Sequence, residues 1–522
     1  MRQNSLISDN FLQDLTKEQS AIVSRQFRGR ESNLVVQAYA GTGKTHTLHS
    51  FARAHPDQSV HYLAFNRSMK EEAERKFKGM ENVRVTTLHG LAFSMVGKNF
   101  ADRLGEVNPM MLKPLVKKYF PSCVRGERKR LYDVTSAIRD AFQFFCSSKY
   151  ESVAACFADR NYVQTSQQNL KEAGIDRDRL VAAVKDLWKN MTTGKGPCGS
   201  ALPMTHNCYL KMFQLSHAQI GSDFVLIDEA QDVTDCMIGV VEGQKAHKIF
   251  IGDSYQQIYG WNGAVNSLQK LENDGADVLY LTQSFRCPSP VAKVADKYLQ
   301  LLGAKKTYLG CKNIRPRGGP IAVLARSNAA IFREAYKSLC EGKKIAFLGG
   351  FEGYGFEILL DIWRIFGRHP EKVQDAWLKN MDFRCFDDLV TYANDHDTHL
   401  CAKCNLVKVF GPDVYTMYNR LKAGHVKLTQ SDVVFSTVHK AKGAEWDKVI
   451  LLDDFISFEK ILLDICKNHR PCLLRKEELN LLYVATTRTR QNLRCPSSII
   501  LSDEMMTAIR QKQKENLLRF VA

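Results

Sequence analysis

Apolar and polar positions follow two rhythms along the chain: short apolar runs of strand length, and longer segments whose apolar residues recur at helical spacing. Leu15 to Val23 reads as a capped helix, with Thr16 as N-cap and Gln19 at the third helical position. The run Leu34-Val35-Val36 reads as a strand, and from His46 to His55 the residues Leu48, Phe51 and Ala52 fall on one helical face. His61 to Phe65 predicts a buried strand, Ser68 to Phe77 a charged helix, and Val83 to Thr87 a third strand running into Leu88-His89-Gly90. Strands alternating with helices predict a parallel, doubly wound sheet. From about Ser94 to Met204 the pattern is helical, and the strand pattern resumes at Phe224 to Ile227, Lys248 to Asp253 and Val278 to Leu281, so that six strands precede Arg286. A second series (Ile321 to Leu324, Ile345 to Leu348, Val433 to Ser436, Val449 to Leu452 and Ser498 to Leu501) predicts a second α/β domain. That series is interrupted between roughly Gly349 and Lys427 by a mainly helical stretch that includes Glu357 to Phe366.

The chemistry enters where strands end. Ala38-Tyr39-Ala40-Gly41-Thr42-Gly43-Lys44-Thr45 lies between a strand and a helix. Gly41 and Gly43 permit backbone angles that turn successive amides inward, and the following helix adds the positive end of its dipole, so the loop suits a polyphosphate. In a loop of this kind Lys44 reaches the outer phosphates and the Thr45 hydroxyl holds Mg²⁺, with Ala38 in the place of the first glycine. Asp228-Glu229-Ala230-Gln231-Asp232 follows an apolar strand, at the edge where open α/β sheets bind ligands. Asp228 is expected to face the same Mg²⁺ as Thr45, and Glu229 to orient the attacking water. Read alone, the two acids could instead cap a helix.

Composition narrows the partners. Among 522 residues, 73 Lys and Arg against 56 Asp and Glu leave a net charge of +17, an excess that suits a polyanion such as nucleic acid as well as it suits a generally basic surface. Lys117, Lys118, Arg125, Arg128, Lys129 and Arg130 concentrate part of it in the first helical stretch, although such a run is more often a solvated face. The 15 cysteines lack the spacing of a secreted disulfide scaffold, and no N-terminal apolar signal stands out. The expectation is therefore a reducing intracellular compartment, nucleus and cytoplasm both open. No apolar run is long enough to span a bilayer as a helix. His396, His399, Cys401 and Cys404 form a dense cluster that could suggest zinc, but a tetrahedral set there would need a very tight loop, and the usual pattern separates two ligand pairs. His46 and His49, three apart, lack a third ligand.

With these residues in hand, the ordered set A-x-x-G-T-G-K-T, D-E-A-Q-D, G-D-S-Y-Q-Q-I-Y-G-W, Q-S-F-R, T-V-H-K-A-K-G-A-E-W and L-L-Y-V-A-T-T-R resembles the UvrD/Rep helicases of superfamily 1. Met204 to Lys211 and Ala64 to Ser68 look most like the F-box DNA helicase branch, without an F-box, since the helicase pattern begins almost at Met1. The resemblance implies an α/β fold of two RecA-like P-loop NTPase domains with parallel sheets, each interrupted by a mainly helical insertion. Its boundaries are 1–93 and 205–286 for the first RecA-like domain, 94–204 for its insertion, 287–348 and 428–522 for the second, and 349–427 for a short second insertion. Gln19 corresponds to the adenine-reading glutamine, Phe285 to the aromatic that stacks on the base, and Gln256 to the residue that senses the terminal phosphate. Ala40, Gly41, Thr42, Gly43, Lys44 and Thr45 form the phosphate loop. Arg286 and Arg488 resemble paired arginine fingers, and Glu445 matches a residue near the ribose. For single-stranded DNA the resemblance points to Phe65, Asn66, His89, Tyr259, Trp261 and His439.

What this implies is an ATP- and Mg²⁺-dependent 3′ to 5′ helicase or translocase on single-stranded DNA and its duplex junctions. Two other readings use the same residues: a translocase that strips recombination proteins with little unwinding, and a non-catalytic DNA-binding factor. Against the last stand the intact Lys44, Thr45, Asp228, Glu229, Arg286 and Arg488. The sequence departs from the family at Asn262, where arginine is usual, and at Ala444, Gly90 and Thr489. Asn262 lies beside Trp261, so the departure bears on the coupling of hydrolysis to movement.

Overall fold

A computed structural model of the chain describes residues 14–27, 32–124, 128–158, 175–258, 266–312, 314–381, 383, 385–458, 460, 473–507 and 511. The chain divides into two units, one of Met1–Ala38, Lys44–Ser254 and Tyr259–Leu281, the other of Tyr39–Gly43, Tyr255–Ile258 and Thr282–Ala522.

The first unit is built on β1 (Asn33–Ala38), β2 (Val60–Ala64), β3 (Val83–Thr87), β4 (Phe224–Ile227), β5 (His247–Gly252) and β6 (Asp277–Leu281), in the order β3-β2-β4-β5-β1-β6. Every pairing is parallel. A parallel sheet is covered on both faces, which is why its central strands read as apolar runs, whereas the edge strand β3, Val-Arg-Val-Thr-Thr, does not. Successive residues point to opposite faces: Leu34, Val36, Phe224, Leu226, Ile249 and Ile251 join one core with Leu48 and Phe51 of helix α2 (Lys44–Ala54), and Val35, Val225, Ile227 and Phe250 join another. Preceding the sheet, helix α1 (Lys17–Val23) starts with the expected capping box, Thr16 Oγ1 accepting from Gln19 N and Gln19 Oε1 from Thr16 N.

Between β3 and β4 the chain is helical, including α4 (Leu88–Met95), α5 (Arg128–Ser147), α6 (Arg177–Thr193) and α7 (His206–Leu215); helix α3 (Arg67–Lys76) links β2 to β3. Ile138, Phe142 and Phe145 at i, i+4 and i+7 meet Leu180, Val184 and Leu187 in one core. A fully buried lysine, Lys211 of α7, donates to Ser148 O (2.9 Å), Tyr150 O (2.5 Å) and Gln214 Oε1 (2.7 Å), so its charge is solvated by the protein.

In the second unit β9 (Ile321–Ala325), β10 (Ile345–Phe347), β11 (Val433–Thr437), β12 (Trp446–Leu451) and β13 (Thr489–Arg494) form a parallel sheet ordered β10-β11-β9-β12-β13. A separate parallel pair is β7 (Gln283–Pro288) with β8 (Leu309–Cys311). The last expected strand is corrected here. Ser498 to Leu501 is not a strand; a short 3-10 turn covers Ser497–Ile499, and Ile499 and Leu501 are buried while their carbonyls accept from Tyr298 Oη and Lys297 Nζ. The fifth strand is instead the polar Thr489–Arg494, which pairs with β12 and, among the described residues, forms the sheet edge.

Helices α8 (Glu357–Phe366), α9 (Phe386–His396), α10 (Thr398–Phe410) and α11 (Asp413–Gly424) fill most of the stretch between β10 and β11. The zinc candidates lie here. Cys401 Sγ donates to Asn394 Oδ1 (3.0 Å) and Cys404 is buried, and among the described residues no group of three or more His, Cys, Asp or Glu is placed to hold a metal ion. The described cysteines are free thiols, and among the described residues no helix is long and apolar enough to cross a membrane.

Candidate functional site

Register brings the functional residues of the first unit to one edge. Leu63 pairs with Ile227 and Ile227 with Phe250, so β2, β4 and β5 end at the same edge of the sheet, and Asp228 and Asp253 directly follow the last residues of β4 and β5. Asp228 is 1% exposed. Its Oδ2 accepts from Tyr62 Oη (2.5 Å) and Thr45 Oγ1 (3.2 Å), and its Oδ1 from Glu229 N (2.9 Å). Burial, and after it the neighbouring Glu229, pushes the Asp228 carboxyl above its ordinary range. A cation beside it would relieve that cost, and the carboxylate and hydroxyl of Asp228 and Thr45 are the hard oxygen donors that Mg²⁺ takes.

Glu229 is held by both oxygens. Lys44 Nζ lies 3.2 Å from Oε1, and Gln231 Nε2 donates to Oε2 at 2.6 Å. Gln231 is itself fixed, because its Oε1 accepts from Asp253 N (2.9 Å). Glu229 has φ +51°, a left-handed backbone uncommon for a residue with a Cβ, and its side chain makes no helix cap. Glu229 therefore does not act as a side-chain helix cap. Burial alone would lower the Lys44 ammonium's pKa, but Glu229, Asp228 and Asp253 outweigh it and raise it, so Lys44 is cationic.

In the second unit the segment Tyr39–Gly43 is tied down at both faces of its peptides. Ala40 N donates to Tyr483 Oη (2.9 Å), Ala40 O accepts from Ser284 Oγ (3.0 Å) and Tyr308 Oη (2.8 Å), and Gly41 O accepts from Phe285 N (2.8 Å). Gly41 has φ +70°, and a Cβ there would lie 2.5 Å from Arg286 Cβ; Gly43 has φ +83°. Both glycines are thus required by conformation, and Gly41 by close approach as well. Thr42 Oγ1 closes the turn on Tyr39 O (2.8 Å).

Phe285 presents its ring to solvent, 53% exposed, as a stacking face requires. Arg286 Nε donates to Glu445 Oε2 at 2.5 Å. Arg488, on the turn after helix α13 (Leu473–Thr486), is 1% exposed, with Nη2 donating to Gln256 Oε1 (3.2 Å) and Nε to Val484 O (3.0 Å). Lys442 Nζ and Asn480 Nδ2 donate to the carbonyls of Gln256 and Gln257 at 2.7 and 2.8 Å.

The nucleic-acid candidates are placed unevenly. Phe65 is half-buried at the end of β2, and Asn66 is exposed while its Oδ1 caps α3 on Met69 N (2.9 Å). His89 Nε2 lies 3.3 Å from Asn207 Oδ1, and Asn207 Nδ2 donates to Gln143 Oε1 (3.1 Å). Burial lowers the pKa of His89 and takes that of His439, on helix α12 (Val438–Ala441), down to about 4, with Arg326 as second cause for the latter. Both rings are neutral at pH 7. Gln19 is 3% exposed and its Oε1 is used by the capping box. Tyr259, Trp261 and Asn262 lie outside the described residues.

Sequence reasoning passed over Gln231, Tyr62, Tyr483 and Asn207. Gln231 and Tyr483 stood inside quoted motifs, D-E-A-Q-D and L-L-Y-V-A-T-T-R, and Asn207 inside Met204 to Lys211. Tyr62 had no signal beyond a buried strand.

Residues 15–275 match the UvrD/REP helicase N-terminal domain and residues 414–497 the UvrD-like helicase C-terminal domain. F-box DNA helicase 1 of Gallus gallus is 28% identical over 515 residues, covering 93% of this chain and 49% of that protein. F-box DNA helicase protein 1 of Schizosaccharomyces pombe is 27% identical, covering 92% and 57% respectively. The ATP-dependent DNA helicase PcrA of Staphylococcus aureus is 24% identical over 364 residues, covering 64% and 47%. The chain spans about half the length of the curated relatives it matches.

Proposed function

The chain belongs to the UvrD/REP helicase family, and from that premise we propose that it is an ATP-dependent helicase or translocase moving 3′ to 5′ along single-stranded DNA, in replication, recombination or repair. The observation that carries the proposal is the cluster of Lys44, Thr45, Asp228 and Glu229, with Lys44 3.2 Å from Glu229, Thr45 3.2 Å from Asp228, and Gln231 fixing Glu229 at 2.6 Å. Lys44 neutralises the outer phosphates of ATP. Thr45 and Asp228 would hold Mg²⁺, which when bound offsets the charge of the phosphates. Glu229, oriented by Gln231, positions the attacking water and accepts its proton. Gln256 reports the terminal phosphate, Arg286 and Arg488 stabilise charge on the transferring phosphoryl, and Gln19 with Phe285 receives the adenine. Phe65, Asn66, His89, Tyr259, Trp261 and His439 form the DNA track, in which neutral histidines suit polar contacts to the strand.

The test is ATP hydrolysis with and without single-stranded DNA, together with strand displacement on duplexes carrying a 3′ or a 5′ tail. DNA-stimulated turnover and displacement from the 3′ tail are expected. Turnover indifferent to DNA would overturn the translocase reading, and displacement from the 5′ tail alone would reverse the polarity.

A further inference from the structure

Glu445 is surrounded by arginines. Its Oε2 accepts from Arg286 Nε at 2.5 Å, and its Oε1 faces both Arg317 Nη1, in close contact, and Arg490 Nη1 at 3.4 Å. The Glu445 and Arg286 side chains are each 21% exposed and that of Arg490 10%. Arg490 is anchored in turn, with Nη2 donating to Arg315 O at 3.0 Å. Burial would raise the Glu445 carboxyl, but Arg286, Arg317 and Arg490 outweigh it and hold it below the ordinary range. The carboxylate is ionised and engaged at both oxygens, so a sugar hydroxyl would compete with three arginines for it.

The engagement of Arg286 is one-sided. Its Nε is committed to Glu445, and among the described residues its Nη1 and Nη2 donate to no protein group. A guanidinium gripped at Nε keeps a planar, two-donor edge aimed in a fixed direction, the form suited to two phosphoryl oxygens. We propose that Glu445 is a positioning residue for Arg286 rather than a ribose reader, and that Arg317 and Arg490 hold Glu445 by Oε1 so that Oε2 stays on Arg286. The inference rests on the nucleotide-hydrolysing reading above and changes the role of one residue within it.

The experiment uses the full chain and two ligands, ADP alone and ADP with aluminium fluoride, titrated into the wild type, Glu445→Gln, Arg286→Ala and the double variant. ADP affinity reports contacts to base and ribose, whereas the gain on adding aluminium fluoride reports the guanidinium at the transferring phosphoryl. Glu445→Gln is expected to bind ADP within about twofold of wild type and to lose at least about tenfold of the aluminium fluoride gain, with the double variant no worse than Arg286→Ala alone. Arg490→Ala should lose part of the same gain. 3′-Deoxy-ADP should be weakened relative to ADP by the same factor in wild type and Glu445→Gln. Matched thermal melting of wild type and Glu445→Gln excludes misfolding, and if Glu445→Gln melts early, Arg490→Ala carries the comparison. Weakened ADP binding with an intact aluminium fluoride gain, or loss of the discrimination against 3′-deoxy-ADP, would overturn the proposal and return Glu445 to the ribose. A wild-type chain that binds no ADP would overturn the nucleotide site itself, and this inference with it.

Discussion

Gln256 and Arg488 are hydrogen-bonded, Nη2 to Oε1 at 3.2 Å, and both are almost fully buried, at 4% and 1% exposure. The guanidinium also donates to Val484 O, Ala444 O (3.4 Å) and Thr487 Oγ1 (3.2 Å). Under the proposed function, in which Gln256 senses the terminal phosphate and Arg488 stabilises the transferring group, this hydrogen bond would pass a change felt by Gln256 directly to Arg488.

That coupling makes lysine a poor substitute. Arg488→Lys retains the charge but cannot reproduce the fork that serves Gln256, Ala444 and Val484. ATP turnover is expected to fall on the order of 10³-fold, as for loss of an arginine finger. Leaving buried partners unsatisfied should also cost about 1–3 kcal/mol of stability. Steady-state hydrolysis and denaturant titration of the one variant check both, and turnover within tenfold of wild type would remove Arg488 from the chemistry.

The Glu229 geometry separates binding from chemistry. Glu229→Gln is expected to bind ATP and Mg²⁺, because Thr45 and Asp228 remain 3.2 Å apart, yet to lose the group that takes the water's proton. Gln231→Ala removes one donor to Glu229 Oε2 and should reduce turnover by about 10–10²-fold without abolishing it. Lys44→Ala should abolish hydrolysis while leaving single-strand binding largely intact. Nucleotide binding and single-turnover hydrolysis measured on the three variants distinguish the roles; if Glu229→Gln cannot bind nucleotide, Glu229 is structural.

Much of this was legible because burial on both faces gives a central parallel strand an unmistakable apolar run, as in β1, β2 and β4 of the first sheet. Thr489–Arg494 does not, since this edge strand exposes Asn492 and Arg494 and buries the polar Thr489 and Arg490, and so has no apolar signature. Ser498 to Leu501 misled for the converse reason: Ile499 and Leu501 are apolar because they are buried, without a strand to pair with. Gln19 and Asn66 each serve a helix cap, and a cap on a side chain does not exclude the ligand contact proposed for it. Gln231, Tyr62 and Asn207 act through a partner distant in sequence or on a neighbouring turn, and only three-dimensional placement reveals which atoms they orient.

The net charge of +17 also has a direct test. If basic residues displace condensed counterions from DNA, the affinity for an unstructured single strand falls steeply between low and moderate salt, as a straight line in log–log form. Fluorescence anisotropy with one oligonucleotide over a salt series measures the slope. A flat line would mean that the charge excess serves a generally basic surface and not DNA binding.

The acid sensitivity of the first unit should trace to His61. The ring is 1% exposed on β2, its Nε2 is 2.6 Å from Thr86 Oγ1, and its register partner across the sheet is Arg84. Burial, and secondarily Arg84, takes its pKa down to about 4, against an unfolded value of about 6.5. A histidine with a depressed folded pKa is neutral in the native state and binds its proton first in the unfolded chain. Its contribution to stability is therefore fully present above pH about 6.5 and is lost as the pH falls towards 4. Integrating over that window, lowering the pH to 5 should remove about 2 kcal/mol through this one group. His61→Gln keeps a hydrogen-bonding side chain for Thr86 but cannot titrate. His439, also taken down to about 4, adds a parallel loss in the second unit that this substitution does not touch. Hydrogen exchange of the amides of β2 and β4 at pH 7.5 and pH 5, corrected for intrinsic rates, reads the first unit selectively. Wild type should lose protection by about 2 kcal/mol more than His61→Gln over that interval, and equal losses in the two proteins would show that the buried imidazole does not control the acid response.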